Sequence, residues 1–334
     1  MKNKNRAGAL ALAFCAAMLA FGNSAVFAAS TAATPSASNQ VLKVSPIKTD
    51  VTVPAGTTGT VKILVSNISD KPITVQPIEN DFVAGGENGQ PALVLDPNSY
   101  APSHSLKRFM VPLNNVTIAA HDGAQVTVSI TVPKVAQAGG YFGAIRFSPI
   151  VNGSSSGSSV ALSESVASLI LMTVPGPTTE QLTMTNFAIQ QNGSSSTNFR
   201  TPNNLSLFVR FLNKGNLQES PFGQIDVQKG KKVVYSYNFN QADPKKEILP
   251  DSARRWTVPL KGFGKFGKYT ISGTFTYGTK GETIDVTKTV WIIPTAYIIV
   301  IIIIVVLLVL LIGGGWLFLK SYKRRILKSS RRRY

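Results

Sequence analysis

The chain has 334 residues, with 34 Lys and Arg against 16 Asp and Glu, a formal net charge of +18, two histidines and a single cysteine. One cysteine excludes an internal disulfide, and so few thiols and imidazoles argue against a Cys/His metal centre. The charge would suit a polyanion binder, but its distribution along the chain changes that reading.

Residues 1–28 carry Lys2, Lys4 and Arg6 without an acid, then an apolar run over 7–21, then Val26-Phe27-Ala28. That order predicts a secretory signal cut after Ala28. The run is too short and too Ala-rich for a membrane span. Cys15 lies inside it. Leu12-Ala13-Phe14-Cys15 lacks the small residue that a lipidation site needs before the Cys. The mature chain then holds no cysteine, which excludes thiol catalysis and Cys-ligated zinc. Residues 29–40 read as a disordered mature N-terminus.

From residue 41 the pattern is β. Short alternating or apolar runs, bounded by Pro, Gly, Asn and Asp, fall at 41–47, 60–67, 72–77, 116–120, 124–132, 141–149 and 165–174. Their number and spacing predict a first immunoglobulin-like β-sandwich over 41–175. Pro175-Gly176-Pro177 breaks the pattern and makes a stiff joint. Seven more strands follow at 184–190, 205–213, 223–228, 232–239, 255–259, 268–277 and 283–292, predicting a second sandwich over 178–291. Residues 153–159 and 193–198 are Gly/Ser-rich and read as exposed loops. The fold class is therefore all-β, two tandem sandwiches followed by one transmembrane helix.

That helix is expected at 292–319. Every residue from Tyr297 to Leu311 is apolar, and in lipid only a helix satisfies such a backbone. Trp291, Tyr297 and Trp316 suit the two interfaces. Lys320, Lys323, Arg324, Arg325, Lys328, Arg331, Arg332 and Arg333 then form a tail, 320–334, with no acid. The positive-inside rule puts that tail in the cytoplasm and the sandwiches outside, with the tail on anionic lipid. Without signal and tail, 23 basic residues face 16 acidic ones. That modest surplus draws the ectodomain weakly, and salt-dependently, to anionic wall polymers. Nucleic acid is not an expected partner.

Residues 41–77, VLKVSPIKTDVTVPAGTTGTVKILVSNISDKPITVQP, and 116–149, VTIAAHDGAQVTVSITVPKVAQAGGYFGAIRFSP, resemble the domain-of-unknown-function 916 family, the WxL-interacting proteins. The matching features are the turn Pro54-Ala55-Gly56, Asn67, Asp70-Lys71-Pro72-Ile73 and Gly139-Gly140-Tyr141-Phe142-Gly143. The layout of signal, two sandwiches, helix and basic tail is similar too. The resemblance implies a Gram-positive-type surface protein whose first domain binds peptidoglycan and whose second contacts surface proteins or host matrix. By their own chemistry, Asn67 and Asp70 suit a turn, Pro72 an edge-strand start, and Gly139-Gly140 a tight hairpin. Tyr141, Phe142 and Arg146 are the candidate ligand-binding residues, set against the commoner role of strand aromatics as core. An exposed edge strand could also accept a partner strand.

No enzymatic constellation is visible. His104 and His121 lack ligand-spaced partners, and His121-Asp122 has no nucleophile turn beside it. Glu79 and Asp81 alternate onto one strand face and read as a solvated pair. Gly262 to Gly267 fits G-x-G-x-x-G, but a strand follows where a phosphate-holding helix is required. That loop reads as a basic-aromatic hairpin or as a turn with buried rings. No cofactor is expected. The reading is a membrane-anchored binding or scaffold protein that docks on peptidoglycan or wall polymer and on a protein partner. The alternative is an accessory ectodomain of a membrane secretion or transport complex, with Gly313-Gly314-Gly315 giving close helix approach. A pilus-type chaperone fits the sandwiches but not the tether.

Overall fold

Strict alternation builds the first sandwich. In the computed structural model, which describes residues 41–150 and 165–330, β3 (Thr58–Asn67) buries Val61, Ile63 and Val65 and turns Lys62 and Leu64 outward. The expected signal, residues 29–40, the loop at 153–159 and Arg331, Arg332 and Arg333 lie outside the described residues. For Lys323, Arg324, Arg325 and Lys328 only the backbone is described. One sheet runs β1 (Leu42–Ser45), β3, β7 (Gly123–Thr131). The other runs β2 (Lys48–Thr52), β9 (Val166–Val174), β8 (Gly139–Pro149), β4 (Ile73–Ala84), β5 (Pro91–Leu93), with β6 (Val116–Ile118) also on β4. The stretch expected as one strand over 41–47 is thus divided between sheets: β1 pairs antiparallel with β3, and β2 pairs parallel with β9. Pro46 stands at the crossing, where its missing N–H costs no ladder bond.

The core lies between the sheets. Leu42, Ile63, Val65, Val128 and Ile130 meet Val75, Ile145, Phe147, Ile170 and Met172. One edge of this core is closed by the long passage between β5 and β6, and Asp81 holds that passage down. Its buried carboxylate accepts from Ala101 N (2.9 Å), Ser105 Oγ (2.6 Å) and Lys107 N (2.8 Å). Glu79 accepts from Leu113 N at 2.8 Å. The pair read as solvated is instead a clamp, because charge is tolerated inside only when amides satisfy it.

The second sandwich repeats the plan with larger side chains. Its four-stranded sheet runs β11 (Ser194–Ser195), β10 (Leu182–Gln191), β13 (Leu205–Asn213), β16 (Ala253–Pro259). Its five-stranded sheet runs β12 (Asn198–Phe199), β18 (Glu282–Ile292), β17 (Gly267–Tyr277), β14 (Phe222–Lys229), β15 (Lys232–Phe239). Ser194–Ser195 and Asn198–Phe199 therefore pair as short strands within the stretch expected to be a loop. Phe211, Phe239 and Phe275 pack edge-on, with centroids 5.0–6.2 Å apart, as ring quadrupoles prefer. Both sandwiches close one end with the same device. Asn67, ending β3, donates to Lys71, Ile118 and Ala119 carbonyls. Asn213, ending β13, donates to Leu217 and Ile248 carbonyls and accepts from Gly215 N.

The joint at Pro175-Gly176-Pro177 is latched by Asn216. Its amide donates to Ala138 O (2.9 Å), its side-chain oxygen accepts from Thr179 N (2.8 Å), and its carbonyl accepts from Gly140 N (2.7 Å). Gly139 and Gly140 are not a hairpin turn. They begin β8, and a Cβ at Gly139 would stand 2.9 Å from Asn216 O. Close interdomain approach, together with φ +143° at Gly139, is what requires glycine there.

β18 runs to Ile292, where the last expected strand ends, and the helix expected from 292 starts three residues later. Ile293 and Pro294 lead straight into α1 (Thr295–Ser330). Its segment Thr295–Lys320, 26 residues of mean hydropathy 3.5 with none of it buried, spans about 39 Å, more than the hydrocarbon thickness. By length and composition it is long and apolar enough to cross a membrane. The Asp81 clamp gives a direct test. Asp81→Ala leaves buried amides unsatisfied and should cost about 3 kcal/mol in chemical denaturation. Asp50→Ala, at an exposed carboxylate, should cost under about 1 kcal/mol.

Candidate binding surfaces

Successive strand residues face opposite ways, and this separates the expected site residues. Tyr141 points to the inner face, against Phe109 at 5.0 Å, and its hydroxyl donates to Gln137 O. Burial holds that phenol above its ordinary value. Phe142 and Arg146 share the outer face. Phe142 is buried beside Phe82, and Arg146 Nε reaches Asn80 Oδ1 at 3.4 Å. The three therefore do not form one ligand-presenting face.

Of the three, only Phe142 belongs to the apolar patch beside a cleft. The outer face of the six-stranded sheet is apolar at Phe82, Phe142, Ala144 and Leu171, with Leu93 and Leu169 beside them. Leu249 of the second sandwich packs onto it. A cavity of about 240 Å³ remains, walled by this floor and by residues 244–254. Lys48 on β2 sits at its rim, 2.7 Å from Glu247 Oε2 and 3.2 Å from Asp50 Oδ2. Burial disfavours the charge on both partners. Glu247 is held above the usual carboxylate range by that burial, against the pull of Lys48. Lys48 overcomes its own burial through the hydrogen bond and field of Glu247 and is held above its ordinary value. Arg254 Nη1 donates to Glu247 O at 2.7 Å and lies over Trp256. A second bridge crosses lower down, Arg210 to Glu87 at 2.7 Å. The two bridges did not stand out in sequence, because Lys48 and Glu247, and Glu87 and Arg210, lie more than a hundred residues apart.

A second surface lies on the clamped passage. Tyr100 is exposed, with Arg108 over its ring at 4.4 Å and Lys107 at 5.1 Å. Lys107 Nζ also donates to Pro97 O and Ser99 O. Two cations held over one exposed ring, with Asp96 near Lys107, give this face charged and aromatic groups that could meet a polar, anionic ligand. The two surfaces differ in kind: the cleft is apolar with paired charges, the Tyr100 face polar and cationic.

The histidines serve the fold. His104 Nδ1 lies 2.6 Å from Gly140 O, and His121 Nε2 lies 2.8 Å from Asp70 Oδ1. Among the described residues no three His, Cys, Asp or Glu side chains gather to hold a metal.

At the joint end of the second sandwich, Glu219 is 3% exposed, and its Oε1 has no hydrogen-bond partner. Its other oxygen accepts from Gly278 N at 3.0 Å. Burial first, then the charges of Glu180 and Glu282, push this carboxyl up to about 7. Tyr277 and Lys245 line the same hollow. Between its ordinary 4.5 and about 7 the folded chain keeps a proton that the unfolded chain has lost. The stabilisation is complete below the lower value and vanishes as pH rises through the upper one. Thermal unfolding should therefore show stability falling across that window by up to about 3 kcal/mol. Glu219→Gln should remove that part of the slope.

No family model matches the chain, and no curated protein matches it. Solved structures do superpose over most of its length. The class 5 fimbriae chaperone CfaA aligns at 12% identity and TM-score 0.40, covering 76% of this chain and 99% of its own. The E. coli chaperone DraB aligns at 15% and 0.34, covering 75% and 96%. The Pseudomonas aeruginosa CupB2 chaperone aligns at 11% and 0.31, covering 74% and 99%. The chain is distantly similar to these two-sandwich proteins, and its own sheets and cores establish the fold: two immunoglobulin-like β-sandwiches in tandem.

Proposed function

We propose that the chain is a membrane-anchored extracellular binding and scaffold protein of a bacterial cell surface. The first sandwich docks on peptidoglycan or its anionic polymer, and the second holds a protein partner. The observation that carries this reading is the direct passage from β18 into the apolar helix, with only Ile293 and Pro294 between them. That short link holds the second sandwich at one membrane surface and leaves the first sandwich beyond it, farther from the bilayer. The basic tail favours the cytoplasmic side for the far end. The resemblance of residues 41–77 and 116–149 to the WxL-interacting family supports the wall as ligand.

Within the first sandwich, Tyr100, Lys107 and Arg108 fit that role better than the strand aromatics, since they are not consumed by the core. The cleft is the better place for a partner's side chain or extended segment: its floor is apolar and its rim charges are already paired.

Full-length protein in detergent, sedimented with insoluble peptidoglycan, tests the reading. Retention should survive physiological salt. Tyr100→Ala with Arg108→Ala should weaken it about tenfold. Retention that disappears at physiological salt would reduce the binding to net charge and contradict the proposal.

A further inference from the structure

The second sandwich is electrostatically polarised along its long axis. Its joint end carries Glu180, Glu219 and Glu282 around Gly278. The opposite end is built from residues 191–205, the turn 229–232, the loop 260–267 and the last residues of β18. There stand Arg200, Lys229, Lys231, Lys232, Lys261, Lys265 and Lys268, all exposed, and none of these segments contains an acid. The pairing brings them together: Gln228 opposes Thr270, Lys229 opposes Lys232, and Lys268 opposes Trp291. Lys229 Nζ also donates to Phe266 O at 3.3 Å.

This is the end that meets the helix. Phe266, 46% exposed, stacks on Tyr297 in the first turn of α1 at 5.1 Å. Trp291 is 41% exposed beside it. The loop divides its two rings. Phe263 turns inward onto Tyr269, whose hydroxyl accepts from Gly264 N, while Phe266 is left outside at the level where the span begins. Aromatic rings at that depth with lysines around them match an interface of headgroups.

We propose that this cationic, aromatic end is a docking surface for anionic phospholipid headgroups, so that the ectodomain rests on the bilayer as well as being tethered to it. The proposal relies on α1 being the span put forward above. Each cation near an anionic surface strengthens contact about fivefold, so several acting together fix the orientation of the ectodomain.

The test uses the full chain with Cys15→Ser and Lys265→Cys, labelled with a fluorophore and inserted into nanodiscs. One set holds brominated phosphatidylglycerol and the other brominated phosphatidylcholine. Lys280→Cys, at the far end of β17, is the control. The label at 265 should be quenched at least threefold more strongly in the anionic discs, and the control in neither. Lys231→Gln, Lys232→Gln and Lys261→Gln together should abolish the difference without changing thermal stability. Equal quenching in both lipids would mean that the tether alone brings the loop near, and would overturn the proposal. So would a label open to aqueous iodide in both. Failure of the chain to enter discs at all would overturn the span itself, an outcome distinct from the other two.

Discussion

A sheet that is apolar on both faces cannot be left open to water, and the first sandwich has one. The inner face of β4, β8 and β9 fills its core with Val75, Ile145, Phe147 and Met172, and the outer face carries Phe82, Phe142, Ala144 and Leu171. Covering that outer face is worth about 1.5–3 kcal/mol for each large side chain. The second sandwich supplies the cover through Leu249, and the Asn216 latch and the Lys48–Glu247 pair hold it in place. The joint at Pro175-Gly176-Pro177 is thus backed by packing. The cavity of about 240 Å³ is what the cover leaves unfilled.

Charge then follows position. Carboxylates collect where the two sandwiches meet, and there they are hydrogen-bonded to backbone amides or paired with lysine and arginine. Lysines collect where the second sandwich meets the helix. The axis therefore runs from a first sandwich of balanced charge, through a joint where carboxylates and cations are mixed, to a basic base.

Much of this was legible in sequence. Alternation at Val61, Ile63 and Val65 announced β3, and Ile-, Val- and Leu-rich residues announced the helix, because burial and lipid each impose a period or a composition. The segment after the Gly262–Gly267 loop, read as a strand where a phosphate loop needs a helix, is a strand, since Tyr269, Ile271 and Phe275 alternate inward. Four things were hidden. The division at Pro46 depends on which sheet each half joins, which no local pattern encodes. Ile292 is as apolar as the residues after it, so the expected strand and helix both claimed it, while pairing with Gly267 keeps it in β18. Tyr141 and Phe142 were grouped because they are adjacent, and adjacency in a strand puts side chains on opposite faces. The clamp at Asp81 was misread for a related reason: its amide partners lie 20 or more residues away.

The central claim is that the two sandwiches form one rigid unit because the apolar outer face requires cover. Electron spin resonance distance measurement addresses it, with labels at Lys62→Cys and Lys288→Cys in the full Cys15→Ser chain in nanodiscs. A single narrow distance distribution is expected, broadened by Leu171→Glu, which puts a charge under Leu249. A broad or two-peaked distribution in the otherwise unaltered chain would mean that the sandwiches swing freely, and would contradict the account.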